Sequence, residues 1–160
     1  MTWAVRPYVA ADCAGCWHVF FDAVQTGARH HYSQAQRDAW CASVPAPTLE
    51  NCARLGDALT CVAHRGETVI GFMTLERNGH LDMAFVTPDD MGRGVAGALH
   101  ESVLQSARAH GLGHLTADAS HLARKFLARH GWHEIEAETV MRAGVPLERF
   151  RMELKLEPTQ

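Results

Sequence analysis

The chain opens with a short run of alternating apolar and polar residues, 3–6, that reads as a strand ended by Pro7. Asp12 suits a helix N-cap, because its carboxylate can accept the unpaired amides of a first turn. Cys16, Trp17, Val19, Phe20, Ala23 and Val24 then recur at helical spacing. That predicts a helix to about Thr26, stopped by Gly27. Ser33 and Gln36 form an S-x-x-Q capping box ahead of a short helix carrying Trp40. Pro45 and Pro47 end that segment, and residues 48–55 predict another short helix closed by Gly56. Trp17, Phe20, Phe21 and Trp40 read as core aromatics.

The period then changes from helical to alternating. Residues 60–64 and 68–76 read as strands joined through Arg65, Gly66 and Glu67. Asn78-Gly79 is a strong hairpin turn, since both residues tolerate positive φ, and residues 80–86 follow as a third strand. A long helix over 94–110 buries Val95, Leu99, Val103 and Ala107. A short strand, 114–117, and a helix, 120–130, come next. Strands at 132–141 and 146–156, turned by Ala143-Gly144, finish the chain.

Composition narrows the function classes. With 160 residues the chain fits one domain. A formal net charge of -3, with the basic residues scattered, disfavours nucleic acid. No apolar run reaches the ~18 residues of a membrane span, and the start lacks a signal-peptide pattern, so a cytoplasmic protein is expected. The five cysteines are odd in number and irregular in spacing, which argues against a disulfide framework. Cys13 and Cys16 form a C-x-x-C without a second pair, so they are expected as free thiols packed in a helix. The eleven histidines show no ligand spacing, and no metal is expected.

The most informative stretch runs from Val86 through Met91, Gly92, Arg93, Gly94, Val95, Ala96 and Gly97. A strand ends, a glycine-rich loop follows, and a helix begins. Unpaired amides and the positive end of the helix dipole then suit a pyrophosphate. A Walker A loop is excluded, because no G-K-[ST] follows the glycines. Gly92, Gly94 and Gly97 do match the dinucleotide pattern G-x-G-x-x-G, with Asp118 downstream. Hairpin-joined strands before the loop, however, are not a run of parallel βαβ units.

Met91 to Ala96 resembles the loop motif [QR]-x-x-G-x-[GA] of the GNAT acetyltransferase superfamily, with Met91 in place of Gln or Arg. The segment from Ser120 through Ala123, Phe126 and Leu127 to Trp132 resembles the family's N-x-x-A-x-x-F-Y-x-x-x-G-F motif. Ser120 stands in the Asn slot, and Leu127 in the slot of a tyrosine that protonates the leaving thiolate. His31-Tyr32-Ser33 followed by Ala39-Trp40 is similar to a bacterial subgroup of acetyltransferases. The resemblance implies an α/β (α+β) GNAT fold: a mixed, mostly antiparallel sheet of seven or so strands with helices on both faces.

The resemblance further implies acetyl-CoA as cosubstrate and a small-molecule or peptide amine as acceptor. Ala84, Phe85 and Val86 would pair with the pantetheine arm, residues 91–97 would wrap the pyrophosphate, and Ser120, Ala123 and Phe126 would line the thiol arm. Strand alternation places His80, Asp82 and Ala84 on one face, so His80 and Asp82 are candidate bases. His31 and Tyr32 overhang the acceptor site, and Tyr32 is a candidate acid in place of Leu127. Asp118 either lines the cleft or caps the next helix. A homodimer is left open. The alternatives are a non-catalytic acyl-CoA sensor of the same fold and a dinucleotide-dependent oxidoreductase.

Overall fold

A computed structural model describes residues 2–157. Strand β1 (Ala4–Pro7) leads into α1 (Cys13–Asp22), which continues into a π-helical turn, Ala23–Gly27. Helices α2 (Gln34–Cys41) and α3 (Leu49–Gly56) follow, capped by Ser33 and Thr48. The meander is β2 (Leu59–Arg65), β3 (Thr68–Leu75) and β4 (His80–Val86). Then come α4 (Val95–Ala109), β5 (His114–Ala119), α5 (His121–Arg129), β6 (His133–Arg142) and β7 (Val145–Lys155).

The seven strands form one sheet in the order β1-β2-β3-β4-β5-β7-β6. Every neighbouring pair is antiparallel except β4 with β5. That topology supplies no run of parallel βαβ units, so the dinucleotide fold fails. Parallel pairing is confined to His80 with Thr116 and Leu81 with Ala117. Beyond those rungs β4 and β5 separate, leaving one backbone edge of β4 without a strand partner. Helices cover both faces: α4 packs Val95, Leu99, Val103 and Ala107 against one, and α1 packs Cys16, Trp17 and Val19 against the other.

Three local features depart from the sequence reading. Asp12 does not cap α1 with its side chain. Its carboxylate instead accepts both guanidinium edges of Arg6, at 2.7 and 2.8 Å, and the Val9 amide at 2.9 Å. The Arg6 guanidinium holds the Asp12 carboxyl below its ordinary range. Cys13 is bonded to Cys52, tying α1 to α3 across 39 positions. Cys16 keeps a free thiol as expected, pushed up to about 12 by burial; Cys41 and Cys61 are also free, and burial pushes their thiols up as well.

The third departure is a β-bulge in β4. Leu81 pairs with Leu75 and Met83 with Thr74, so Asp82 is the extra residue. A bulge reverses the alternation downstream of it. Leu81, Ala84 and Val86 pack in the α4-side core, and Met83 and Phe85 in the α1-side core. Asp82 and Ala84 therefore do not share a face, contrary to the alternation expected from sequence.

Candidate active site

Two hollows meet where β4 and β5 part. The first is lined by His80, Asp82, Asp118, Tyr32, Arg54 and Arg149, with Phe20 and Trp40 as aromatic walls. The second, of about 470 Å³, is apolar and runs from Val86 past Met91, Gly92, Gly94, Ala96 and Gly97 to Phe126. Trp40, Ala84, Phe85, Ser120, Ala123 and Leu127 line both. A group bound along the second hollow therefore has its end against the first.

The loop after β4 is fixed at its base. Asp90, 5% exposed, accepts hydrogen bonds from the Arg65 guanidinium and from the Thr87 hydroxyl at 2.7 Å. Arg65 holds the Asp90 carboxyl below its ordinary range. Gly92 and Gly94 then adopt φ of 76° and 85°, the left-handed region that a side chain rarely enters. This path brings the chain to Gly94, the N-cap of α4. The amides of Val95, Ala96 and Gly97 have no carbonyl one turn earlier to bind. Nothing lies within 4 Å of where a Cβ would stand at Gly92 or Gly97, so the approach to these amides is open.

Met91, which stands where a polar residue was expected, packs inward. A Cβ on Gly27 would meet Met91 Cε at 3.1 Å, so the methionine fills the space beneath the π-helical turn. Arg93 is exposed and outside the hollow's lining, and Val95 turns into the core at 1% exposure. Ser120 caps α5 by accepting the Ala123 amide at 3.2 Å. That leaves Asp118 free of the capping role.

On the other side, Asp82 is held by Arg54 of α3 through two hydrogen bonds, at 3.0 and 3.1 Å. His80 Nδ1 lies 2.8 Å from Thr116 Oγ1, and its Nε2 lies 3.7 Å from Asp118. Tyr32 is buried, which raises its pKa. Its hydroxyl donates to the Glu148 carbonyl at 3.1 Å and accepts the His121 amide at 3.0 Å. His31 is exposed, stacks on His121 at 5.6 Å, and does not line either hollow.

Sequence reasoning brought His80, Asp82 and Tyr32 to this site but missed Arg54, Arg149 and the wall role of Phe20 and Trp40. Both aromatics are half-buried at the cleft rather than enclosed in the core. Arg54 carried a signal only in hindsight, as a cation on a capped helix.

Residues 28–155 match the acetyltransferase (GNAT) domain family. This chain belongs to the GNAT acetyltransferases. It is 30% identical over 151 residues to YafP of Escherichia coli K12, an uncharacterized N-acetyltransferase, covering 94% of this chain and 95% of that one. A GCN5-related N-acetyltransferase from Rhodopseudomonas palustris superposes with a TM-score of 0.88 at 32% identity, over 98% and 97% of the two chains. PaiA N-acetyltransferase of Thermoplasma acidophilum, solved with coenzyme A, shares the fold: TM-score 0.78, 16% identity, 98% and 100% covered. As a GNAT acetyltransferase the chain is an acyltransferase, and among the described residues no helix is long and apolar enough to cross a membrane.

Proposed function

We propose that this acetyltransferase moves an acetyl group from acetyl-CoA to a primary amine by direct attack. The observation that carries the reading is the shared wall of the two hollows, where a thioester in one would face an amine in the other. The residues fit the cosubstrate. Gly92 and Gly94 open the backbone to a pyrophosphate, and the amides of Val95, Ala96 and Gly97 point at it. Val86 and the apolar lining suit the pantetheine arm, with Ala123 and Phe126 on its far side. The thioester supplies an activated acyl carbon.

The unpaired edge of β4 offers amide hydrogens to the oxygen on which charge develops, a contribution of ~10²–10³ per donor in rate. Asp82 has both oxygens committed to Arg54, so the proton acceptor proposed is His80, whose Nε2 faces the cleft. An imidazole changes charge nearer neutrality than any other side chain, which suits a base for an ammonium group. Tyr32 is proposed as the donor to the leaving thiolate, because Leu127 has no proton to give. A panel of primary amines assayed for thiol release from acetyl-CoA tests the reading. Release should depend on one class of amine and fall in His80→Ala by ~10²–10⁴; equal release from the variant would reject His80.

A further inference from the structure

Asp118 stands apart from the other carboxylates of the cleft. Both oxygens of Asp82 accept from Arg54, and Glu148 lies 2.8 Å from His121 Nε2. Asp118 alone, among the described residues lining the first hollow, has a carboxylate with no cationic nitrogen closer than 3.7 Å. Its nearest cationic groups are His80 Nε2 at 3.7 Å and Arg149 Nη1 at 3.8 Å, both beyond hydrogen-bond reach. Arg149 is drawn to Glu138 instead, at 2.6 Å. Ser120 supplies the cap of α5, so no helix end needs Asp118. A carboxylate with its acceptor positions vacant, at the mouth of the gap between β4 and β5, can take the N–H groups of an ammonium ion.

Thr116, two residues earlier, lies on the same face of β5 as Asp118. It pairs with His80 in the first of the two parallel rungs, and its Oγ1 lies 2.8 Å from His80 Nδ1. The hydrogen bond at one imidazole nitrogen sets the protonation of the other. In the tautomer whose Nδ1–H donates to the Thr116 hydroxyl, Nε2 presents a lone pair to the point that Asp118 also faces.

We propose that Asp118 binds the ammonium group of the acceptor, and that Thr116 is a positioning residue that keeps the lone pair of His80 Nε2 on the same nitrogen. This rests on the transferase reading above. One ammonium N–H is held by Asp118 and another by His80, a spacing that the 3.7 Å between them permits. The first proton passes to His80 Nε2 and on to solvent, the freed lone pair forms the N–C bond as the C–S bond breaks, the thiolate takes a proton from Tyr32, and the second proton shed by the new amide nitrogen restores the Tyr32 hydroxyl. The substrate class is a primary amine that arrives protonated.

The other charges around His80 are accounted for. Asp82 beside it on β4 is neutralised by Arg54 of α3, and Arg149 of β7 by Glu138 of β6. On the outer side of the same groove His114 lies against Glu153 and Arg151 against Glu136, leaving Asp118 as the group that answers an incoming cation.

Three measurements on the full chain test this. Asp118→Asn keeps shape and removes charge. It should lower kcat/KM for the best amine of the panel about 100-fold, through KM, with acetyl-CoA affinity unchanged. The deficit should narrow as pH rises and the amine becomes neutral. Imidazole ¹⁵N resonances of His80 should show the Nδ1–H tautomer in wild type and in Thr116→Ser, and lose that preference in Thr116→Val. Wild-type kcat/KM in Asp118→Asn across pH 6 to 9, or an Nε2–H tautomer in the wild type, would overturn the proposal. Failure of the wild type to release thiol with any amine, while still binding acetyl-CoA, would overturn the transferase reading itself; a loss confined to the variants cannot arise that way.

Discussion

Tyr32 carries two demands at the residue scale. Its hydroxyl bridges the Glu148 carbonyl and the His121 amide, and the proposed chemistry asks it to lend its proton to a thiolate. Tyr32→Phe keeps the ring and removes the bridge. It should lower stability by about 1–3 kcal/mol, since buried partners are left unpaired, and lower kcat by ~10²-fold or more. A lower melting temperature with unchanged kcat would confine the hydroxyl to a structural tether. His100 offers a second test. It is 3% exposed, accepts from Trp132 Nε1–H at 3.0 Å, and burial depresses its pKa to about 4. The folded state therefore binds fewer protons than the unfolded one between pH 4 and 6.5. The stabilisation is full above the unfolded value near 6.5 and is lost as pH falls toward 4. His100→Gln should flatten that part of the stability curve relative to wild type, and parallel curves would show that another group is responsible. His80 and Asp82 stand out in the sequence as the two polar residues of an otherwise apolar strand. The neighbours of the His80 ring, Thr116 and Asp118, lie 36 and 38 positions on in the chain, and the parallel rung brings them together.

At the scale of elements, the hairpins, the cap of α2 and the loop before α4 were readable because each depends on local chemistry. Asn78-Gly79, Ser33 with Gln36, and the positive-φ glycines all act within a few residues. The β-bulge at Asp82 and the π-helical turn at Ala23–Gly27 were not. Each inserts a residue into a regular ladder without changing the kinds of residue on either side, so the period alone cannot reveal it. The Cys13–Cys52 bond escaped for a different reason: its partners lie on separate helices, whose packing brings them together. Closing a loop of 39 positions limits the unfolded chain by about 3–4 kcal/mol. A reductant, or Cys52→Ser, should lower the melting temperature by roughly 10 °C; an unchanged melting curve would mean that α3 is held by its apolar contacts alone. For the loop, Gly94→Val puts a β-branched residue at φ 85° over the first amides of α4. It should weaken acetyl-CoA binding. Gly111→Ala places similar strain, at φ 71°, beyond the other end of α4, and should cost stability without affecting that affinity. Equal affinities in both variants and wild type would mean that the phosphates bind elsewhere.

On the scale of the whole molecule, one topological event produces the site. Six strand pairs make the sheet, one of them parallel, and that pair holds for two rungs before its strands diverge. The gap exposes the backbone edge of β4, admits the loop and N-terminus of α4 on one side, and collects His80, Asp82 and Asp118 on the other. The family and its fold were legible because two motifs, at the loop and along α5, lie at the right separation on either side of this gap. The first hollow was not, because its walls come from Phe20, Trp40, Arg54 and Arg149, which no single motif links. Thermal unfolding with and without ligand tests the central claim most directly, since a ligand that binds only the folded state raises the melting temperature by mass action. Acetyl-CoA should raise the midpoint progressively with concentration, NAD should leave it in place, and the acetyl-CoA shift should shrink in Gly94→Val. Stabilisation by NAD with none by acetyl-CoA would contradict the account.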